Sequence, residues 1–140
     1  MKMNIIVVYN TQEDKILMCL RKKDPYKGLY NLVGGKIEKD ETGLESAYRE
    51  LEEESGITKE DITLTHLMTC NYQMSNNELQ VYAGKLNKEI KVVEEANKLY
   101  WVDASENFFD MSKYAGEGII GHIIEQVKLY KDKLLKEVNE

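Results

Sequence analysis

The sequence predicts an α/β fold in which helices pack on a mixed β-sheet. Segments with strand character come first, an amphipathic helix follows, and further strands and a final helix complete the order. The 140 residues suffice for one hydrophobic core, and no repeat, low-complexity stretch or interdomain linker divides them. We therefore expect a single domain that spans residues 1–140.

Strand signals begin near the amino terminus. Residues 4–9 and 16–20 flank a polar turn and predict a β-hairpin, and residues 29–33 follow a loop that holds the only proline, Pro25. The first apolar run is too short for a secretory signal, and no segment approaches the roughly 20 apolar residues of a membrane span. We expect a cytoplasmic protein without a membrane partner.

An amphipathic helix is predicted after the third strand. Its apolar stripe has the spacing i, i+3, i+4 and i+7 and consists of Leu44, Ala47, Tyr48 and Leu51. Thr42 is suited to the N-cap, and Glu45 completes a capping box. Gly56 suits the left-handed position that ends a helix. Both ends of this helix are therefore specified locally.

Strands return in the second half of the chain. Residues 62–74 and 78–86 are strand-like runs around a turn at residues 75–77, and residues 99–102 form another short strand. Residues 120–134 have apolar residues at helical spacing and predict a helix that packs on the sheet.

Composition excludes several classes of function. A net charge of −6 argues against binding of a nucleic acid polymer, which requires a clustered basic surface. The two cysteines, Cys19 and Cys70, are far apart and form no CxxC pair, so neither a zinc site nor a disulfide framework is indicated. A small anionic substrate remains compatible with this charge if a metal ion bridges it.

Three glutamates cluster on the predicted helix. Glu50, Glu53 and Glu54 have the spacing i, i+3 and i+4, which predicts one patch of three carboxylates. Like charges at this spacing repel, whereas Mg²⁺ takes carboxylate and phosphate oxygens as ligands and would reverse the repulsion. We expect an exposed Mg²⁺ site, with Mn²⁺ as the alternative cofactor; the other interpretation is a solvated acidic helix face.

The spacing around these glutamates is highly specific. From Gly35, five residues lead to Glu41 and seven more to Arg49, after which the sequence reads Glu-Leu-x-Glu-Glu-x-Gly-Ile up to Ile57. This pattern matches every fixed position of the Nudix box, and the chain resembles the Nudix hydrolases. The resemblance implies an α/β/α sandwich with a mixed sheet and a Mg²⁺-dependent cleavage of phosphoanhydride bonds.

The resemblance also assigns roles within the box. It implies that Glu50 and Glu54 are the principal Mg²⁺ ligands, that the Gly35 carbonyl is a further ligand, and that Glu53 is either a ligand or the catalytic base. Arg49 would pair with a glutamate of the preceding loop to hold the helix; outside this motif such a pair would be an ordinary surface salt bridge.

In this resemblance the loop partner of Arg49 is Glu41. In many relatives the base comes from outside the box, and the corresponding candidates are Glu94 and Glu95, with Glu95 the predicted catalytic residue. A solvated charge pair before a strand is the alternative interpretation of these two glutamates.

Substrate contacts are predicted on both sides of the box. Asn31 precedes the Gly-Gly-Lys run that ends at Lys36, and this arrangement resembles Nudix enzymes that hydrolyse oxidised purine nucleoside triphosphates. An asparagine can donate to and accept from one base, or it can satisfy local backbone groups in a turn. Val33 stands where many relatives carry proline. Asn31 and Lys36 are our predicted substrate contacts here.

Glu117 is the predicted second contact with a base, since related purine-directed enzymes carry an acid in this region. Alternatively, its carboxylate lies in the first turn of the last helix, where the helix dipole favours negative charge. Three aromatic residues are candidates for base stacking, although aromatic residues on strands usually belong to the core. These are Tyr72, Tyr82 and Phe108.

The sequence therefore predicts a pyrophosphohydrolase of the MutT-like kind that converts a nucleoside triphosphate, such as an oxidised purine nucleotide, into a monophosphate and pyrophosphate. Hydrolysis of ADP-ribose or a nucleotide sugar is the first alternative, and a nucleotide-sensing module without catalysis is the second. The expected partner is a small nucleotide, and the expected state is a monomer or a homodimer.

Overall fold

The computed structural model describes residues 1–135, in which a mixed sheet is flanked by helices. In chain order, the elements are β1 (Lys2–Tyr9), β2 (Lys15–Leu20), β3 (Tyr30–Lys36), α1 (Gly43–Ser55), β4 (Thr65–Tyr72), β5 (Asn77–Lys85), β6 (Leu99–Asp103), α2 (Ile119–Leu129) and α3 (Lys131–Leu134). Within this range no helix has the length and apolar composition needed to cross a bilayer. The extension of the domain to residue 140 stays a prediction.

Strand β1 occupies the middle of the sheet. The strand order is β4-β5-β1-β3-β2-β6, with β1 parallel to β5 and antiparallel to β3. The predicted hairpin of β1 and β2 is present only at its turn end, where Tyr9 faces Ile16. Nearer its start, β1 pairs with β3 instead, from Met3 to Ile6. This insertion brings Gly34 and Gly35 beside the first residues of the chain.

Alternating side chains of β1 fill two separate cores, as expected for a strand buried on both faces. Ile5 and Val7 belong to the cluster that includes the apolar side of α2. Ile6 and Val8 belong to the cluster that includes Ala47 and Leu51 of α1, on the other face. The predicted α/β/α sandwich with a mixed sheet is confirmed.

Helix α1 has the predicted ends. Thr42 is the N-cap, its hydroxyl accepts the Glu45 N–H, and the Glu45 carboxylate accepts the Thr42 N–H, so the capping box is complete. At the other end, Gly56 has φ 78° and donates its N–H to the Glu52 carbonyl. These bonds satisfy helix-end groups and fix where the glutamate-bearing face begins and ends.

Several predicted boundaries differ from the structure, and two of the differences have a clear physical reason. The predicted helical segment at residues 120–134 is interrupted at Tyr130, which separates α2 from α3. The strand predicted from residue 62 begins at Thr65, and Ile62 forms only an isolated bridge with Leu86. Hydrophobic periodicity reports which residues are buried. Because Ile62 and Leu134 are both buried, the apolar pattern extends beyond the ends of β4 and α2.

Candidate functional site

The centre of the site is the close approach of α1 to the glycine pair at the end of β3. Gly34 has φ 154°, and its N–H donates to Glu54 Oε2 over 2.9 Å. A Cβ at Gly34 would collide with the Asn4 carbonyl oxygen. At Gly35 a Cβ would lie 2.6 Å from both carboxylate oxygens of Glu50. The absence of side chains at Gly34 and Gly35 therefore makes room for the carboxylates of Glu50 and Glu54.

Arg49 ties this helix to the preceding loop. Its guanidinium makes two bonds to the Glu41 carboxylate, Nε to Oε2 at 2.9 Å and Nη2 to Oε1 at 2.6 Å. The same side chain reaches Glu50 at 3.1 Å and Glu53 at 3.2 Å, and it donates to the Lys36 carbonyl. The predicted pair of Arg49 and Glu41 is thus part of a wider network with bidentate geometry.

The three helix glutamates differ in environment. The Glu53 side chain is 58% exposed, whereas that of Glu50 is 16% exposed. Glu54 is half-buried, so the expectation that it lies exposed was wrong. Its exposure is reduced because its carboxylate turns toward the β3 backbone to accept the Gly34 N–H.

Burial and neighbouring charge shift the pKa values of these groups. Burial raises the pKa of Glu54 to about 7, against the lowering effect of the Gly34 hydrogen bond, and the nearby Glu50 and Glu53 raise it further. Burial also raises the pKa of Glu50. The bonds from Arg49 lower the pKa of Glu41 to about 2. The site therefore holds two carboxylates with raised pKa values, Glu50 and Glu54, near the ionised carboxylate of Glu41, which pairs with Arg49.

The three carboxylates do not form the single patch predicted from their spacing. Among residues 1–135, no three Asp, Glu, His or Cys side chains converge closely enough to hold one metal ion. Arg49 lies between Glu50 and Glu53, and Glu54 turns toward Gly34. The oxygen donors still suit a hard cation, because Mg²⁺ needs only one or two carboxylates besides waters and phosphates.

A small hollow of about 210 Å³ adjoins the carboxylates and is called here the Glu53–Glu95 hollow. It is lined by Glu53, Glu54 and Glu95 together with Cys19 and Leu99. Burial raises the pKa of the Cys19 thiol to about 11, which leaves it protonated and unreactive.

The two base candidates outside the box have different surroundings. Glu94 Oε2 accepts the Leu99 N–H over 2.7 Å, which is a structural contact at the start of β6. Glu95 is exposed and lines the Glu53–Glu95 hollow. Of this pair, the structure brings Glu95 to the box carboxylates.

A second cavity, of about 340 Å³, is lined in part by Ile5 of the core cluster that includes α2, and is called the Asn31–Glu117 cleft. Both predicted base contacts line it, together with Tyr72 and Tyr26. Its volume falls in the range of small-molecule sites. Asn31 Oδ1 accepts the Leu32 N–H, and the amide group still carries two N–H donors.

Glu117 lies in a strained loop before α2. It has φ 54°, and Gly118 is the helix N-cap, so the placement in the first helical turn was wrong. Its carboxylate accepts the Tyr26 hydroxyl over 2.7 Å, and Tyr26 also has a positive φ, of 68°. Left-handed non-glycine residues of this kind concentrate at functional sites.

The remaining predicted contacts separate into three groups. Tyr82 and Phe108 are buried in the two cores, whereas Tyr72 is 43% exposed and lines the Asn31–Glu117 cleft. Lys36 is exposed and lines a different depression with Lys2 of β1 and residues of the loop between β3 and α1. The structure therefore brings Tyr72 to the cleft and leaves Lys36 outside it.

Residues that the sequence did not single out also contribute. Asn4 is fully buried, and its Oδ1 accepts the Gly35 N–H over 3.1 Å. Ser46 is equally buried and accepts a bond from Asn4 Nδ2. The signal for Asn4 was a polar residue beside an apolar segment, which becomes meaningful only when the pairing of β1 with β3 is known, whereas Ser46, between Glu45 and Ala47, carried no such signal. Tyr26, in a turn-rich loop, carried no such signal.

A comparison with models of known protein families identifies the family of this chain. A family model described as the NUDIX domain matches residues 2–119, which is most of the chain. The chain belongs to the Nudix family. The box residues described above form the end of β3, the loop that follows it and helix α1 of this Nudix domain.

Individual relatives are similar over shorter stretches. The chain is 44% identical over 46 residues to an ADP-ribose pyrophosphatase of Methanocaldococcus jannaschii, covering 33% of this chain and 27% of that protein. It is 33% identical over 60 residues to the 8-oxo-dGDP phosphatase NUDT18 of Mus musculus, covering 43% of this chain and 19% of that protein. The aligned regions span less than a third of either relative.

Solved structures show the same architecture. A C. elegans Ap4A hydrolase, determined as a binary complex, superposes with a TM-score of 0.74 at 20% identity. The match covers 93% of this chain and 98% of the other. At this identity the likeness establishes the fold alone.

The glycine pair generates a prediction about stability. Gly34→Ala should lower the free energy of unfolding by about 3 kcal/mol or more, because the added Cβ meets fixed backbone at a φ that disfavours side chains. Gly35→Ala, the matched variant, should change it by less than about 1 kcal/mol, since the atoms nearest to its Cβ all belong to the movable end of the Glu50 side chain. Urea unfolding measures both; equal losses would contradict this assignment.

Proposed function

We propose that this Nudix protein is a Mg²⁺-dependent pyrophosphohydrolase that cleaves a purine nucleoside triphosphate, such as an oxidised purine nucleotide, to the monophosphate and pyrophosphate. One observation carries the proposal: the desolvated carboxylates of Glu50 and Glu54 lie directly on the side-chain-free backbone of Gly34 and Gly35. A buried carboxylate is stabilised by a nearby counter-charge: Arg49 supplies one to Glu50, and a divalent cation would supply a stronger one to both carboxylates.

The residues that would hold the cation are Glu50, Glu54 and the carbonyl of Gly35, with Glu53 as a further ligand. All of these offer hard oxygen atoms, which is the donor type that Mg²⁺ and Mn²⁺ prefer. When bound, the cation would neutralise charge on the phosphate oxygens and orient a water molecule.

The chain's own residues would supply the proton transfer and the alignment. A carboxylate at the Glu53–Glu95 hollow, Glu95 in this proposal, would take a proton from the attacking water molecule. The oxygen of that water molecule forms a bond to phosphorus at the same time. The bond from phosphorus to the bridging oxygen breaks, and the leaving pyrophosphate keeps the electron pair. Arg49, held by Glu41, would keep the helix and its glutamates in register with the loop.

The Asn31–Glu117 cleft would receive the base. The amide N–H donors of Asn31 would meet an acceptor on the base, and the Glu117 carboxylate would accept from a base N–H. Tyr72, the exposed aromatic residue of the cleft, would contribute a stacking surface. Lys36, outside the cleft, would contact the phosphate chain.

ADP-ribose or a nucleotide sugar is the second candidate substrate. The observation that favours it is the 44% identity to an ADP-ribose pyrophosphatase. A sensing module without catalysis ranks last, because every carboxylate of the box is present. The exclusion of nucleic acid polymers and the state of monomer or homodimer are retained as part of the proposal.

Hydrolysis of a substrate panel tests the proposal. With Mg²⁺, the protein should release pyrophosphate from a purine nucleoside triphosphate, and excess chelator should abolish the release because phosphate charge is then unshielded. Measuring pyrophosphate and orthophosphate across triphosphates, oxidised purines, ADP-ribose and nucleotide sugars distinguishes the candidates. Turnover of ADP-ribose alone would favour the second candidate, and turnover of none would contradict catalysis on these substrates.

Glu54→Gln separates chemistry from stability. The variant should lose at least about 100-fold in kcat, since it removes a charged ligand. Because the folded-state pKa of Glu54 is raised from 4.5 to about 7, its ionisation destabilises the metal-free fold progressively as pH rises through that range. At pH 8 the variant should therefore melt at the wild-type temperature or above it.

The matched control for this variant is Glu52→Gln, an exposed glutamate of the same helix that lies outside the proposed ligands. It should keep wild-type kcat. A Glu54→Gln protein that melts well below the wild type and still turns over substrate would refute the ligand assignment.

Base recognition is tested with Asn31→Ala and Glu117→Gln. Each should reduce kcat/KM for the preferred purine nucleotide by about 10-fold or more, because one polar contact to the base is lost, with a smaller effect on other bases. Steady-state kinetics on a set of nucleoside triphosphates measures this discrimination. Losses of the same size for every base would contradict a role in reading the base.

A further inference from the structure

A buried polar network joins the start of the chain to the end of β3, where the Gly35 carbonyl lies. Asn4, the third residue of β1, has no exposed surface. Its Oδ1 accepts the Gly35 N–H over 3.1 Å, and its Nδ2 donates to Ser46 Oγ over 2.7 Å. One amide therefore links β1 to both β3 and α1.

Ser46 continues the network toward Lys36. Its hydroxyl accepts from Asn4 and donates to the Lys36 carbonyl over 3.4 Å. That carbonyl also accepts from Arg49 Nη2 over 3.2 Å. The Ser46 hydroxyl thus donates its only proton in one hydrogen bond and accepts another, so the donor and the acceptor of each hydrogen bond in this network are fixed.

These bonds hold the backbone on both sides of the Gly35 carbonyl. The N–H of Gly35 is fixed by Asn4, and the carbonyl of the next residue, Lys36, is fixed by Ser46 and Arg49. The peptide group between these two anchors therefore has little freedom to rotate. The same anchors hold the backbone against which the Glu50 carboxylate lies.

We propose that Asn4 and Ser46 are positioning residues for the cation site, and this inference rests on the proposed function. They act through Gly35, whose carbonyl they orient toward the cation, and they touch neither cation nor substrate. Interactions that orient the ligands of a metal ion tune its affinity in many proteins. A purely packing role would be filled equally well by an apolar side chain, as in the four residues after Asn4, which are all buried and apolar.

Two variants remove the network at different points. Ser46→Ala deletes the link to Lys36 with a minimal change of volume, and Asn4→Leu removes both bonds of the amide at similar size. The matched control is Ser55→Ala: Ser55 lies on the same helix and is as deeply buried, but its hydroxyl donates to the Leu51 carbonyl, outside the network.

Mn²⁺ binding without substrate is the primary measurement, by electron paramagnetic resonance of the free ion. We expect Ser46→Ala and Asn4→Leu to weaken Mn²⁺ binding by about 10- to 100-fold, and Ser55→Ala to retain wild-type affinity while losing some thermal stability. In turnover assays, the two network variants should lower kcat with KM for substrate within about 2-fold of wild type.

Wild-type Mn²⁺ affinity in folded Ser46→Ala would overturn the inference, whatever its melting temperature. Equal weakening by Ser55→Ala would also overturn it, because the effect would then be a general loss of packing. If the wild-type protein turns over no substrate, the proposed function fails separately, and the Mn²⁺ titration still decides whether Asn4 and Ser46 position a cation site.

Discussion

The rest of the site depends on the contact between two carboxylates of α1, those of Glu50 and Glu54, and the backbone of Gly34 and Gly35 in β3. Carboxylates can approach a strand this closely only where the strand carries no side chains and offers an N–H donor, as Gly34 does for Glu54. The same contact removes water from Glu50 and Glu54 and disfavours their charged forms. The fold thus holds two carboxylates where burial disfavours their charged forms, and a bound divalent cation would favour those forms.

Holding this arrangement requires fixing the segment that joins β3 to α1. The capping box fixes the start of the helix, and the bidentate pair of Arg49 and Glu41 fixes the loop before it. The central position of β1 explains why the amino terminus takes part, since its pairing with β3 delivers Asn4 to Gly35. The Asn31–Glu117 cleft and the Glu53–Glu95 hollow are separate cavities, which suits a nucleotide whose base and phosphates are recognised separately.

Sequence reasoning succeeded where the determinants are local. The ends of α1 follow from Thr42, Glu45 and Gly56, and the pair of Arg49 and Glu41 follows from motif spacing. It failed where position depends on pairing between distant segments. The insertion of β3 beside β1, the role of Asn4 and the burial of Glu54 all require the sheet order, which a periodicity of two residues does not encode. Helical spacing likewise placed three glutamates together without showing that Arg49 would separate two of them.

The most direct test of the central claim is the anomalous difference map of a crystal grown with Mn²⁺. The account predicts a peak bonded at about 2.0–2.4 Å to carboxylate oxygens of Glu50 and Glu54 and to the Gly35 carbonyl. A well-ordered Mn²⁺ bound elsewhere, or no peak at this position at saturating Mn²⁺, would contradict the claim that these residues form a cation site.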